Sequence, residues 1–339
     1  MEAVVIAAAV KAGLFYETRS AKGGKNMSRL TPTKRIKEIT PKDPWEIEPD
    51  EMTEFVKWRD RDDKEEMRID WSHPTVAKTQ RKLKLVNEVN SRWTIEIEPF
   101  NDTLQKYEDS KHLRPILYAV FNGDYNNGGR LYAGKKWGHQ GFGSESRRTI
   151  TFNGEPSVEL DFSGMHPRLL YHLKGIDYKT DPYALWGSDT SDEHRLIAKQ
   201  AINTAINATD MQKAVAACNQ AMSKFGRKNQ EEKSGKARKK ADKLYRAVKS
   251  TGLGFKQVIQ LAEREHPEIA HHFNSGAGLW LMRIDSRIAL QISYWFSKQG
   301  IPCLPVHDSF IVPKDCESKL RQMMIRTYRK QTGFVPVIK

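Results

Sequence analysis

Three cysteines in 339 residues, Cys218, Cys303 and Cys316, are too few and too scattered for a disulfide framework or a paired-cysteine zinc site. They point to a reduced, cytoplasmic (intracellular) protein. Long apolar runs are also missing: no stretch approaches the roughly 20 consecutive apolar residues that cross a bilayer, so a soluble chain with no membrane partner is expected. Residues 3–10 are apolar, but the run is short, follows Glu2, and lacks the basic leader and small-residue cleavage site of a secretory signal. Residues 1–26 read instead as a helical extension or an upstream start, because Met27 opens a second beginning. Acidic residues are the third shortage. The 42 Asp and Glu stand against 56 Lys and Arg, a formal charge of +14, and such an excess favours a polyanionic partner whose counterions are released on binding. The length suffices for a substantial core in one large subdivided domain, or in two.

Along the chain, residues 28–66 are charged and carry Pro32, Pro41, Pro44 and Pro49, which break any long helix. They read as an arm or loosely packed lead-in. From 74 to 113 apolar residues recur near helical spacing, with one short alternating run at Trp93, Ile95 and Ile97, so an α-rich accessory region is expected. Residues 122–143 are crowded with glycine and asparagine, which predicts loop or tight turn. Residues 157–161 alternate and then meet Ser163-Gly164, a strand running into a helix start that Ser163 could cap. Asp161 falls at the strand end, where on this segment alone it is equally a capping residue.

A helix begins near His194. Its residues Arg195, Lys199, Asn203 and Asn207 lie four apart and therefore share one face, opposite an apolar body of Ile197, Ala198, Ala201, Ile202, Ala205 and Ile206. Residues 223–249 carry a dense Lys and Arg run, a charged helix suited to phosphates or simply a solvated face. Residues 255–273 continue as amphipathic helix. The stretch 279–296 is a long helix in which Arg283, Asp285 and Arg287 are either surface residues or groups that orient others. In residues 301–313, two apolar runs flank His307-Asp308, which predicts a hairpin with a polar tip. Pro302 and Pro305 restrict its first strand to a sheet edge. A helix over 317–330 follows.

Two acids at strand ends with a basic helix between them are the minimum set for holding two metal ions and a nucleoside triphosphate. In order and spacing, these segments resemble the family A DNA polymerases and the related phage-type single-subunit RNA polymerases. Gly129-Arg130-Leu131 resembles the glycine-arginine segment ahead of the first acidic motif, and Arg147-Arg148 with Phe152 the basic segment after it. Asp161-Phe162-Ser163 with Arg168 resembles motif A, Arg195 and Lys199 motif B, and Val306-His307-Asp308 motif C. The resemblance covers roughly residues 122–315.

That resemblance implies an α+β fold: a right-hand polymerase palm with an antiparallel sheet, a helical fingers insertion and a mostly helical N-terminal region. The implied boundaries are 27–121 for an accessory or thumb-like region, 122–184 and 276–339 for the palm, and 185–275 for the fingers. It implies template-dependent nucleotidyl transfer with Mg2+, or Mn2+ in its place, bound by Asp161, Asp308 and the Phe162 carbonyl. Arg195 and Lys199 would grip the triphosphate, and Lys199 would protonate the leaving group. His307 would orient the primer terminus, and Arg130 and Arg168 would contact nucleic acid. The implied partners are a nucleic-acid template, DNA in the first instance, nucleoside triphosphates, and a replication or processivity partner. Such a stripped-down polymerase would lack a proofreading domain, as in a phage or mobile element.

Departures from the family pattern bear on substrate. His166, Asn203 and Asn207 occupy places where family A DNA polymerases carry Glu and two aromatics, and Ser309 follows Asp308 as in the RNA polymerases. Sugar preference is therefore left open, with a lean to ribonucleotide or primase-like use. Two rivals remain at this stage: a non-catalytic nucleic-acid-binding protein on a palm scaffold, and a metal-dependent nuclease. Neither explains why two metal-type acids and a basic helix face occur together.

Overall fold

The computed structural model describes residues 15–22, 25–32, 54–61, 63–101, 104–134, 138–223 and 235–339. The chain divides into two compact units, Met1–Thr53 and Glu54–Lys339. In the first unit, β1 (Phe15–Lys22) pairs antiparallel with β2 (Lys25–Pro32). This corrects the helical expectation for the part of residues 1–26 that is described. The paired segments hold no long apolar run of their own and include Thr18, Thr31, Phe15 and Tyr16, residue types suited to strands. Residues 1–14 and 33–53, where the rest of the extension and most of the proline-rich lead-in were expected, lie outside the described residues.

The second unit mixes helix and sheet. In chain order it contains β3 (Val56–Arg59), α1 (Pro74–Ser91), β4 (Ile95–Ile97), β5 (Leu117–Asn122), β6 (Asp124–Ala133), β7 (Thr151–Phe152), β8 (Glu155–Asp161), α2 (Met165–Leu173), α3 (Asp192–Asn207), α4 (Met211–Met222), α5 (Gly235–Thr251), α6 (Phe255–Glu265), α7 (Gly278–Ser297), β9 (Leu304–Val306), β10 (Ser309–Pro313) and α8 (Glu317–Thr332). One antiparallel sheet runs β9-β10-β8-β7-β4 and ends on the short segment Lys111–His112. A second sheet runs β6-β5-β3 and ends on Glu66–Met67, with β3 parallel to β5. The described N-terminal part of this unit is thus richer in strand than expected. Helix α1 ends at Ser91, and the apolar residues beyond it alternate into short strands.

Residues 122–143 differ most from expectation. Ten of them form β6, and its glycines appear as bulges: the register with β5 shifts on both sides of Gly128, and Gly128 and Gly129 have φ of +72° and +79°. The Gly128 carbonyl accepts a hydrogen bond from Ser286 of α7 at 3.0 Å. A Cβ on Gly129 would lie 3.1 Å from both Phe121 and the Ser286 hydroxyl. The glycines therefore let a helix lie directly on a strand, an approach that an alanine would obstruct.

Pro305 does confine β9 to the sheet edge, as expected. The Ser163 cap does not form. Helix α2 starts from Gly164, with φ +59° and no side-chain cap. Helix α3 carries its own start signal: Ser191 accepts from the His194 amide at 3.2 Å, with Asp192 and Glu193 in the first turn. Its apolar body is buried against α4, α5 and α6. The main core continues from these helices through α2, α7 and α8 to β5 and β8. Residues 224–234, part of the expected basic helix, lie outside the described residues, and α5 covers the remainder. All three cysteines are buried and free, and burial pushes the Cys303 thiol up to about 12.

Asn87 on α1 fastens the start of β5. Its side-chain NH2 donates to the Leu117 carbonyl at 2.9 Å, and its oxygen accepts from the Leu117 amide at 2.8 Å, all buried. Asn87→Ala strands both backbone groups and is expected to destabilise the protein by about 2–3 kcal/mol. Urea denaturation would read this as a lower midpoint, and an unchanged midpoint would refute the clamp.

Candidate active site

Strand β8 carries Asp161 at its C-terminal end, paired in register with Ser309, the first residue of β10. Asp308 lies in the two-residue turn between β9 and β10, and its backbone carbonyl accepts from the Phe162 amide at 3.0 Å. The hairpin is held from behind. His139 Nε2 lies 2.7 Å from the Pro305 carbonyl, and Gln140 donates to the same oxygen at 2.8 Å. Burial lowers the His139 pKa to about 4, so the ring is neutral and donates from Nε2. The register of β8 against β10 sets Asp308 near enough to Asp161 for its charge to act there. Burial and the Asp308 charge push the Asp161 carboxyl up to about 7, against the opposing pull of Lys199 and Lys339. Lys339 stands there because its backbone brackets Asp161: the Asp161 amide donates to the Lys339 carbonyl at 3.0 Å, and the Lys339 amide donates back at 2.9 Å.

The polar face of α3 lies on the same side. Lys199 is exposed, and its charge is felt at Asp161. Arg195 is not free: its Nε donates to Asp181 at 2.5 Å, and its guanidinium lies 5.4 Å from the centre of the Tyr183 ring. Tyr183 is buried, donates to Asn203 at 3.2 Å, and has its phenol pushed up to about 12 by burial, with Asp308 adding to the shift. Asn207 is exposed at the end of α3 and donates to the Asn203 carbonyl at 2.7 Å. The first residue of α7, Gly278, sits so close to Asn207 that a Cβ there would collide with the amide. Asp181 and Tyr183 are site residues that the sequence did not reveal. They fall in an irregular segment with no periodicity to mark them.

A third group converges on Asp285 of α7, which is buried at 3% exposure. Arg130 donates to its Oδ2 at 2.7 Å, and His166 Nε2 lies 2.8 Å from the same oxygen. Arg130 and His166 are thus joined through a buried carboxylate, a role that the sequence left open for Asp285. His307 occupies the hairpin tip with φ +60°, exposed and edge-on to Tyr132 at 5.9 Å. Holding a non-glycine residue there costs about 1 kcal/mol or more.

Two residues are used inside the fold. Arg168 is 3% exposed and donates to the Ser163 carbonyl at 2.8 Å and the Tyr178 carbonyl at 2.5 Å. It braces the turn after Phe162 and is not available to nucleic acid, contrary to expectation. The reason is the burial of α2, on which its neighbours Leu169, Leu170 and Tyr171 are all core residues. Ser309 donates to Glu159 at 2.5 Å, and Glu159 is gripped in turn by Arg147 through two bonds of 2.9 and 3.0 Å. The serine after Asp308 therefore faces its own sheet.

A divalent cation fits the carboxylate pair on one direct observation. Asp161 Oδ1 is buried and has no hydrogen-bond partner among the described residues, a costly state unless a cation satisfies it. No cluster of three or more His, Cys, Asp or Glu with metal-holding geometry occurs among the described residues. That is compatible with magnesium, which is commonly held by one or two carboxylates together with waters and substrate phosphates.

No protein-family model and no curated protein matches the chain. Among solved structures, it is similar to the POL domain of Pol1 from M. smegmatis, solved in complex with DNA primer-template and dNTP, at 11% sequence identity and a TM-score of 0.36. The match covers 78% of this chain and 51% of that one, so the chain spans about half the length of that polymerase domain.

Proposed function

We propose that this protein is a template-dependent nucleotidyltransferase that joins nucleoside triphosphates to a growing nucleic-acid strand. The observation that carries this reading is the meeting of Asp161, Asp308 and the Lys199 charge around a buried, unpartnered carboxylate oxygen. Asp161 and Asp308 would hold magnesium, with the Phe162 carbonyl beside them. Bound there, the metal would supply Lewis-acid neutralisation of phosphate charge and a more acidic attacking hydroxyl. Lys199, exposed and with its charge felt at Asp161, binds the triphosphate and offers a proton to the departing pyrophosphate. Arg195 swings from Asp181 to the phosphates when a triphosphate competes for it. His307 meets the primer terminus, and the Arg130–Asp285–His166 group faces the nascent base pair and the sugar.

Incorporation by the purified protein tests this, using magnesium, primed or unprimed single-stranded DNA, and deoxynucleotides or ribonucleotides. Extension on primed template is expected. The preferred sugar reads whether His166 and Asn207 leave room for a 2′-hydroxyl, and products without a primer would make the protein a primase. No incorporation in any of the four conditions, with binding intact, would leave a non-catalytic nucleic-acid-binding protein. Lys199→Ala is expected to lower kcat/KM for the nucleotide by about 10²–10³, as loss of an electrostatic contact to the transition state does. Template affinity should be unchanged, and a variant at wild-type rate would remove Lys199 from the site.

A further inference from the structure

Helix α7 has a second face that the catalytic reading leaves unused. Asp285 and Ser286 turn towards β6, while Arg287 and Arg283 line a cleft of about 690 Å³ between α1, α7 and α8, Arg283 with its guanidinium 5.2 Å from the centre of the Phe121 ring of β5. Each helix contributes a cation pair four residues apart to this cleft: Lys78 and Lys82, Arg283 and Arg287, Arg326 and Lys330. Like charges at this spacing repel across one helical turn, yet none of the six forms an ion pair among the described residues. No carboxylate among these residues therefore neutralises the charge; Lys82 has a hydrogen bond to Gln291 at 2.8 Å and the Tyr294 ring at 5.1 Å. Burial, with Lys78, Arg287, Arg81 and Lys330 around it, brings the Lys82 pKa down to about 8, and burial with Arg287 beside it brings Arg283 down to about 10.

Two further observations say what kind of ligand would relieve this. Thr327 lines the same cleft, and its buried hydroxyl has no hydrogen-bond partner among the described residues, so a polar donor or acceptor is missing there. Half-buried Trp295 also lines the cleft, which places an aromatic side chain among the cations, the combination that single-strand sites use to stack bases while phosphates are neutralised. Cations spread in pairs along three helices suit a repeating anion better than one compact phosphate.

We propose that this cleft is a second nucleic-acid site, taking the phosphodiester backbone of a single strand on the side of α7 away from the Arg130–Asp285 contact. It rests on the polymerase reading only for which strand it holds. A chain gripped there as well as at the carboxylates stays attached between additions.

The test is equilibrium binding of a fluorescent single-stranded DNA, without nucleotide or metal, over a range of salt concentrations. Removing three phosphate contacts by Lys82→Gln, Arg287→Gln and Lys330→Gln should weaken binding about tenfold or more at low salt. It should also reduce the slope of log K against log salt by about two. A control with Lys84→Gln, Lys298→Gln and Lys314→Gln, exposed cations outside the cleft, removes the same net charge and should change the slope far less. Equal slopes for the two triple variants would overturn the proposal. So would an unchanged DNA slope with lost binding to anionic phospholipid vesicles, which would assign the cleft to a lipid surface. Because no synthesis is read, a wild-type protein that failed to incorporate nucleotides would refute the polymerase reading and leave this result standing.

Discussion

Asp308→Ala is expected to lower the rate of nucleotide incorporation by about three orders of magnitude or more, while the affinity for single-stranded DNA changes less than about threefold. A rate loss of that size corresponds to about 4 kcal/mol of transition-state stabilisation, which is what a lost metal anchor removes. Binding survives because the strand is held by phosphate contacts elsewhere, and removing one carboxylate from a basic surface if anything lessens repulsion. The fold also survives, because the hairpin is anchored through Pro305 by His139 and Gln140 and through the Ser309–Glu159–Arg147 chain, none of which uses the Asp308 side chain. Single-turnover incorporation with a parallel binding titration measures both quantities. Synthesis at more than about a tenth of the wild-type rate would place the metal elsewhere, and parallel loss of binding would point to misfolding.

Asp161→Asn is expected to stabilise the protein without metal at pH 8 and to leave its stability nearly unchanged at pH 4. Folding raises the carboxyl from 3.8 to about 7, so the native state prefers the protonated form. The contribution of Asp161 is fully favourable below its unfolded pKa. It is lost progressively as pH rises to about 7, above which the native state carries a buried charge beside Asp308. A shift of this size in a dry site would be worth about 4 kcal/mol. Partial exposure reduces the expected gain from Asn to about 1–3 kcal/mol. Urea denaturation at the two pH values reads the difference. Millimolar magnesium should narrow the pH 8 gap by stabilising the wild type alone, through mass action on a site that Asn cannot complete. An Asp161→Asn variant no more stable than wild type at pH 8, with no magnesium effect on either, would mean that the carboxylate is not strained and holds no cation.

The sequence made the strongly periodic elements legible. The polar face of α3, the long helix α7, and the hairpin with His307 and Asp308 at its tip all appear where patterning and turn chemistry put them. It was misleading where glycine has two meanings. Gly128 and Gly129 read as loop from composition, but their positive φ values are absorbed as bulges inside a strand, because a helix must lie against it. It was silent on contacts between distant segments. Nothing near Arg130 or His166 indicates that both close on Asp285, 155 and 119 residues away. Nothing near Arg195 singles out Asp181 among the acids of an irregular segment. Arg168 shows the opposite error: a motif position fixed its expected role, while the apolar residues around it fixed its burial.

The three buried thiols make the chain chemically quiet. Burial raises the pKa of Cys218, Cys303 and Cys316, so little thiolate is present at neutral pH for a maleimide or disulfide reagent to capture. A single cysteine introduced at an exposed position such as Lys240 on α5 would then be the one reactive handle, with no need to delete native thiols first. A dye attached there could follow α5 against the carboxylate-bearing sheet in real time as triphosphate and template are added.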